Sequence, residues 1–217
     1  KIIGRLYPYF GAVLLIGTVG VGVALLVSDY TIPELSLTNM HPDNVPIFPI
    51  LFFTITCGAL SGFHATQSPI ISRTVEKESQ GRYVFYGMMI TEAVIAMIWA
   101  AAAMSMLDGQ TLSEFIATGT PSAVVNEVSM TLLGAIGGTI AVLGAVVLPI
   151  TSGDTAFRAA RSIIADYLKI DQKKVAKRLM IAVPLFAISA MLTQIDFNIL
   201  WRYFSWANQV LAAICLW

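Results

Sequence analysis

The residues of this 217-residue chain that could do chemistry are few, and they sit inside or at the ends of apolar runs. The run 57–69, Cys-Gly-Ala-Leu-Ser-Gly-Phe-His-Ala-Thr-Gln-Ser-Pro, joins a small-residue face (Gly58, Ser61, Gly62) to His64, Thr66 and Gln67 and closes on Pro69. A small-residue face lets a neighbouring backbone come close. Glycine and proline at a polar span end permit an unwound helix whose carbonyls and amides reach a substrate or an ion. Ser61, His64, Thr66 and Gln67 are therefore candidate substrate ligands. The competing reading is tight packing and an ordinary helix terminus, with His64 near the headgroups.

A second run, Leu148-Pro-Ile-Thr-Ser-Gly-Asp-Thr155, follows a glycine-rich stretch containing Gly134, Gly137, Gly138 and Gly144. Pro149 removes one helical hydrogen bond and frees a carbonyl. With Thr151, Ser152, Asp154 and Thr155 that carbonyl forms a candidate site for a cation or a proton. Alternatively, Asp154 N-caps a helix beginning at 155. Glu92 is the one formal charge expected well inside a span. Hydrocarbon disfavours a bare carboxylate, so Glu92 is expected to be neutral or paired with a group such as His64, and is a proton-coupling candidate. The alternative is a neutral acid bonded to a helix carbonyl. In Trp201-Arg-Tyr-Phe-Ser-Trp-Ala-Asn-Gln209 the aromatics and Arg202 fit an interface belt. Asn208 and Gln209 lie deeper, as inter-helix bonds or as substrate contacts.

The elements that must position these groups follow from composition. Hydrophobic residues make up 57% of the chain and charged residues 12%; mean hydropathy is +0.76. The apolar residues gather in runs of roughly 20, the length a helix needs to cross about 30 Å of hydrocarbon. Spans are expected near 6–27, 46–66, 83–107, 132–153, 178–195 and 199–217. Segments 28–45 and 108–131 carry acids but neither lysine nor arginine. Segment 67–82 carries Arg73, Lys77 and Arg82, and segment 154–178 carries Arg158, Arg161, Lys169, Lys173, Lys174, Lys177 and Arg178. By the positive-inside rule the N-terminus and the two basic segments face the cytoplasm. Apolar residues recurring at three- and four-residue spacing through 154–169 predict an amphipathic helix on that surface. Ser122 is a possible cap for a short outer helix from Ala123.

These observations exclude several classes. The formal net charge is zero, which gives no footing for nucleic acid. P-loop, HExxH, CxxC and GxSxG patterns are absent, so no enzyme chemistry is expected. Cys57 and Cys215 fall in apolar runs and read as buried small residues rather than a metal site or a disulfide. The chain begins at Lys1 and ends at Trp217 within an apolar run, and an interior portion of a longer protein is expected.

Three blocks resemble the carbon starvation protein A family: residues 55–69 (Ile-Thr-Cys-Gly-Ala-Leu-Ser-Gly-Phe-His-Ala-Thr-Gln-Ser-Pro), 152–161 (Ser-Gly-Asp-Thr-Ala-Phe-Arg-Ala-Ala-Arg) and 201–209 (Trp-Arg-Tyr-Phe-Ser-Trp-Ala-Asn-Gln). The likeness runs from about residue 40 to the end. It implies a longer multi-pass protein of the bacterial inner membrane, induced when carbon is scarce. The family is associated with peptide uptake, and some relatives with pyruvate taken up with a cation or proton.

The expectation is thus an all-α, polytopic transmembrane bundle of about six spans, with discontinuous helices and a cytoplasmic amphipathic helix. It would form a single transmembrane domain acting as a secondary importer. Small-molecule substrates and membrane lipids are its expected partners, a proton or sodium ion couples transport, and no resident cofactor or metal is expected. Broken helix ends at Gly58–Pro69 and Pro149–Thr155 would flank the site. A sensor or structural subunit whose polar residues only pack helices is the alternative class.

Overall fold

The computed structural model describes residues 3–34, 39, 44–58, 62–107, 111–115 and 121–217, and every regular element among them is helical. In chain order these are α1 (Ile3–Val27), α2 (Ile47–Gly58), α3 (Gly62–Ser72), α4 (Glu78–Gly81), a π-helical turn (Arg82–Gly87) and α5 (Met88–Met106). A short helix α6 (111–115) follows, then α7 (Pro121–Tyr167), α8 (Val175–Leu192) and α9 (Phe197–Leu216). Helix dominates for a physical reason. Hydrocarbon offers no water to a backbone amide or carbonyl, so each must bond within its own segment.

Four stretches are long and apolar enough to cross a membrane: Arg5–Val27, Glu78–Met106, Pro121–Tyr167 and Val175–Leu192. They answer to the first, third, fourth and fifth expected spans. The second is represented by α2 and α3, with 59–61 outside the described residues. In the sixth place α9 has the length, 20 residues. Asn198, Arg202, Asn208 and Gln209 dilute its apolar content, and it is not among the four.

The residues form two compact units, Lys1–Ile50 with Met88–Thr151, and Leu51–Gly87 with Ser152–Trp217. In the first unit, Thr18, Val21 and Leu25 make a buried stripe on α1 at helical spacing. Ala102 of α5 and Val124, Val128 and Ala141 of α7 are buried in the same core. Trp99 Nε1 donates to Thr18 Oγ1 across helices at 3.1 Å, a bond worth about 0.6 kcal/mol on average at membrane depth, at most about 1.7. Lipid tails are as apolar as these side chains, so close packing must supply the rest. It does so where α1 crosses α7. A Cβ on Gly17 would stand 2.8 Å from Ala141 Cα, and one on Gly144 2.9 Å from Leu14 Cα. Each helix contributes one glycine, and the pairing 14 with 144 and 17 with 141 makes the crossing antiparallel.

In the second unit α3 packs on α9. Asp196 caps α9, its carboxylate accepting from the Asn198 backbone N–H at 2.9 Å. The tail of α7 turns back into α8. Lys169 takes φ 54°, its N–H bonds to Asp166 O at 3.1 Å and the Ile170 N–H to Ala165 O at 2.8 Å. This is the Schellman pattern, with lysine where glycine is usual. Arg178 Nε donates to Gln172 O and ties the far side of the turn. Phe157 meets Phe186 at 4.4 Å between ring centroids. Those two rings are about equally far from the turn, so the two arms lie antiparallel.

Candidate functional site

The expected break at Pro149–Thr155 is not there. α7 runs through this segment without interruption to Tyr167, with Pro149 inside it. The segment expected as a separate amphipathic helix is the C-terminal part of α7. Pro149 costs the Ala145 carbonyl its helical donor but does not unwind the chain. Thr151 Oγ1 turns back to Leu148 O at 2.8 Å. Asp154 does not cap a helix start; one turn on, it is paired with Arg158. Ser152 is exposed, and Thr151 and Thr155 are half-buried. The cation reading needs Asp154 to leave Arg158, which neutralises it.

The discontinuity in α7 is at Gly134, with φ 66° and ψ −172°. L-residues essentially never take that backbone conformation, so glycine is required there. The glycine-rich stretch does break, but near its start. At Gly134 the helical ladder is interrupted within an apolar span, leaving carbonyls before it and amides after it without helical partners.

At the first expected break, α2 ends at Gly58 and α3 begins at Gly62. Ser61 lies outside the described residues. Pro69 does not end α3, which continues to Ser72. On α3, Gln67 is buried, 8% exposed, and its Nε2 donates weakly to Thr66 Oγ1 at 3.4 Å. His64 and Thr66 are half-buried.

On α9, which packs on α3, Asn208 is buried and Gln209 half-buried. Ser205, not nominated from the sequence, is the most enclosed polar residue of this unit among the described residues, 1% exposed, and its Oγ has no hydrogen-bond partner. Ser205, Asn208 and Gln209 share one face by their spacing of three and four. The available signal was that spacing: a serine one turn before a nominated asparagine. The structure thus places Gln67 and Asn208, with Ser205, on two helices that pack together. Glu92 belongs to the first unit, on α5, and is exposed. Among the described residues no group of three or more His, Cys, Asp or Glu side chains converges as a metal site would require.

Several long apolar helices, joined by polar turns and carrying buried amides and hydroxyls, define a multi-pass helical membrane protein. The profile of the family described as Carbon starvation protein CstA matches residues 7–133, more than half of the chain, and the chain belongs to that family. The matched stretch includes the first resembling block and ends before the blocks at 152–161 and 201–209. An uncharacterized membrane protein of Haemophilus influenzae is 44% identical over 139 residues, 55% of this chain and 38% of its own length. The peptide transporter CstA of Escherichia coli is 33% identical over 124 residues, 54% of this chain and 17% of its own. The pyruvate/proton symporter BtsT of the same organism is 31% identical over 122 residues, 53% of this chain and 16% of its own. The chain therefore spans well under half the length of each of these relatives. No solved structure matches it significantly.

Proposed function

We infer that this chain is part of a secondary active transporter that imports a small carboxylate-bearing nutrient, a short peptide or a pyruvate-like monocarboxylate, across the bacterial inner membrane. Membership of the family carries this reading, together with relatives named as a peptide transporter and as a pyruvate/proton symporter. A helix broken at Gly134 and polar side chains buried on the packed helices α3 and α9 support it, as sources of backbone dipoles and neutral donors. In this reading the N-terminus and the basic segments lie in the cytoplasm, a proton or sodium ion couples uptake, and Glu92 carries the coupling proton.

The test is uptake of radiolabelled pyruvate and dialanine into proteoliposomes carrying the chain, with a pH gradient, a sodium gradient or neither. Gradient-driven accumulation of either compound is expected. Uptake of both no greater than in empty vesicles overturns the reading. Glu92→Gln is expected to abolish the dependence on the pH gradient; an unchanged dependence makes Glu92 structural.

A further inference from the structure

Several helical hydroxyls of this chain share a habit that Ser205 does not. Ser105, Ser129, Thr139 and Ser162 each donate to the carbonyl four residues back, at 2.7, 2.6, 2.6 and 2.8 Å. That bond is the cheapest way to satisfy a hydroxyl where water is scarce. Ser205 has the same option through the Trp201 carbonyl and does not use it. Bulk solvent does not reach it, since the residue is 1% exposed. A buried hydroxyl turned off its own helix and left without a partner costs stability. Such a cost is characteristic of a group held ready for something that is bound only part of the time.

The surroundings say what that something is. α9 packs on α3, and among the described residues the buried polar side chains on these two helices are Gln67, Ser205 and Asn208. Each can donate a hydrogen bond, through Nε2, Oγ and Nδ2, and none carries a charge. Neutral donors at membrane depth suit an anion that is small and bonded through oxygen. They stabilise it without burying a permanent cation when the site is empty. The two named relatives' substrates, a peptide and pyruvate, share one such group, the carboxylate.

We propose that Ser205 Oγ, with Asn208 on the same face of α9 and Gln67 on the packed helix α3, is a hydrogen-bond donor to the carboxylate of the transported compound. The site rests on the transport reading for its ligand, but binding tests it separately. Equilibrium binding of radiolabelled pyruvate and dialanine is measured on the purified full chain in detergent, with the amide pyruvamide as competitor, beside uptake by the same preparations. Wild type is expected to bind a carboxylate saturably and to reject the amide. Ser205→Ala is expected to weaken binding by roughly tenfold or more, the loss of one hydrogen bond to a charged acceptor, to lose much of the discrimination against the amide, and to melt no lower than wild type. Ser205→Cys, close in size but a weak donor, is expected to fall between. Unchanged affinity and selectivity in Ser205→Ala overturns the proposal, as does the absence of saturable binding by wild type. Saturable binding that depends on Ser205, without gradient-driven uptake, upholds the site and overturns the transport reading instead.

Discussion

The two compact units bury different kinds of residue. In the first, the enclosed side chains among the described residues are mostly aliphatic, and the two buried hydroxyls among them are both bonded: Thr18 accepts from Trp99, and Ser129 donates to Val125 O. In the second, the buried residues among those described are Ala159, Ala165 and Ile181 and the polar Gln67, Ser205 and Asn208, and Ser205 is unbonded. Where hydrophobic burial adds little, a helix bundle gains stability from close approach and satisfied polar pairs. The first unit does both. The second leaves several buried polar atoms unmatched, the Ser205 hydroxyl among them, which is a poor way to build a scaffold and a reasonable way to build a site.

That contrast is open to direct attack. The largest effect is expected at the α1–α7 crossing. Gly144→Val pushes a side chain into the Leu14 backbone, which has no flexible end to move, and about 3 kcal/mol of stability is expected to go. Unfolding in mixed detergent measures it; a loss below about 1 kcal/mol would mean the first unit is loosely packed after all. Gly134→Ala comes next. Its backbone conformation is nearly closed to any side chain, and about 1–3 kcal/mol is expected to be lost. Introducing alanine without cost would show that α7 is straight in the membrane.

A matched pair of hydroxyl deletions compares the units most directly. Thr18→Val strands Trp99 Nε1 and is expected to lower stability by about 1–2 kcal/mol, while Ser205→Ala is expected to leave the melting temperature unchanged or raised. Equal losses in both would erase the distinction between scaffold and site. The smallest effect is expected at Asp154→Asn. Its pairing with Arg158 is well exposed, with side chains 31% and 58% accessible, and such pairs contribute about 0–1 kcal/mol. A change above roughly 2 kcal/mol would place that pair out of reach of water.

The sequence makes the helical class and the multi-pass character legible because both rest on long-range regularities, runs of apolar residues near span length and alternation of basic turns. Four of the runs reappear as long apolar helices. The site was only partly legible. Gln67 and Asn208 stood out as amides in apolar surroundings, and both are buried on packed helices. Pro149 was weighted as a helix breaker, whereas proline lacks only one donor and a helix in a poorly hydrated setting has strong reason to continue through it. Gly134 was one of four glycines in its stretch, and composition does not tell a glycine that takes a positive φ from one that lets a neighbour come close. Ser205 was legible only as a serine one turn before Asn208: whether a hydroxyl folds back on its own helix is decided by rotamer and packing, not by residue type.

The reversal between α7 and α8 closes on a lysine in a left-handed conformation rather than on a glycine. Glycine would leave that corner indifferent to its surroundings. With Lys169 at the corner, and exposed Lys173 and Lys174 a few residues on, the same corner cannot sink into oil, because ammonium groups keep their heads in water while their stems lie along apolar surface. The turn therefore works as a float. It keeps the first residues of α8 near the waterline and limits how deep that end of the helix can sit along the bilayer normal.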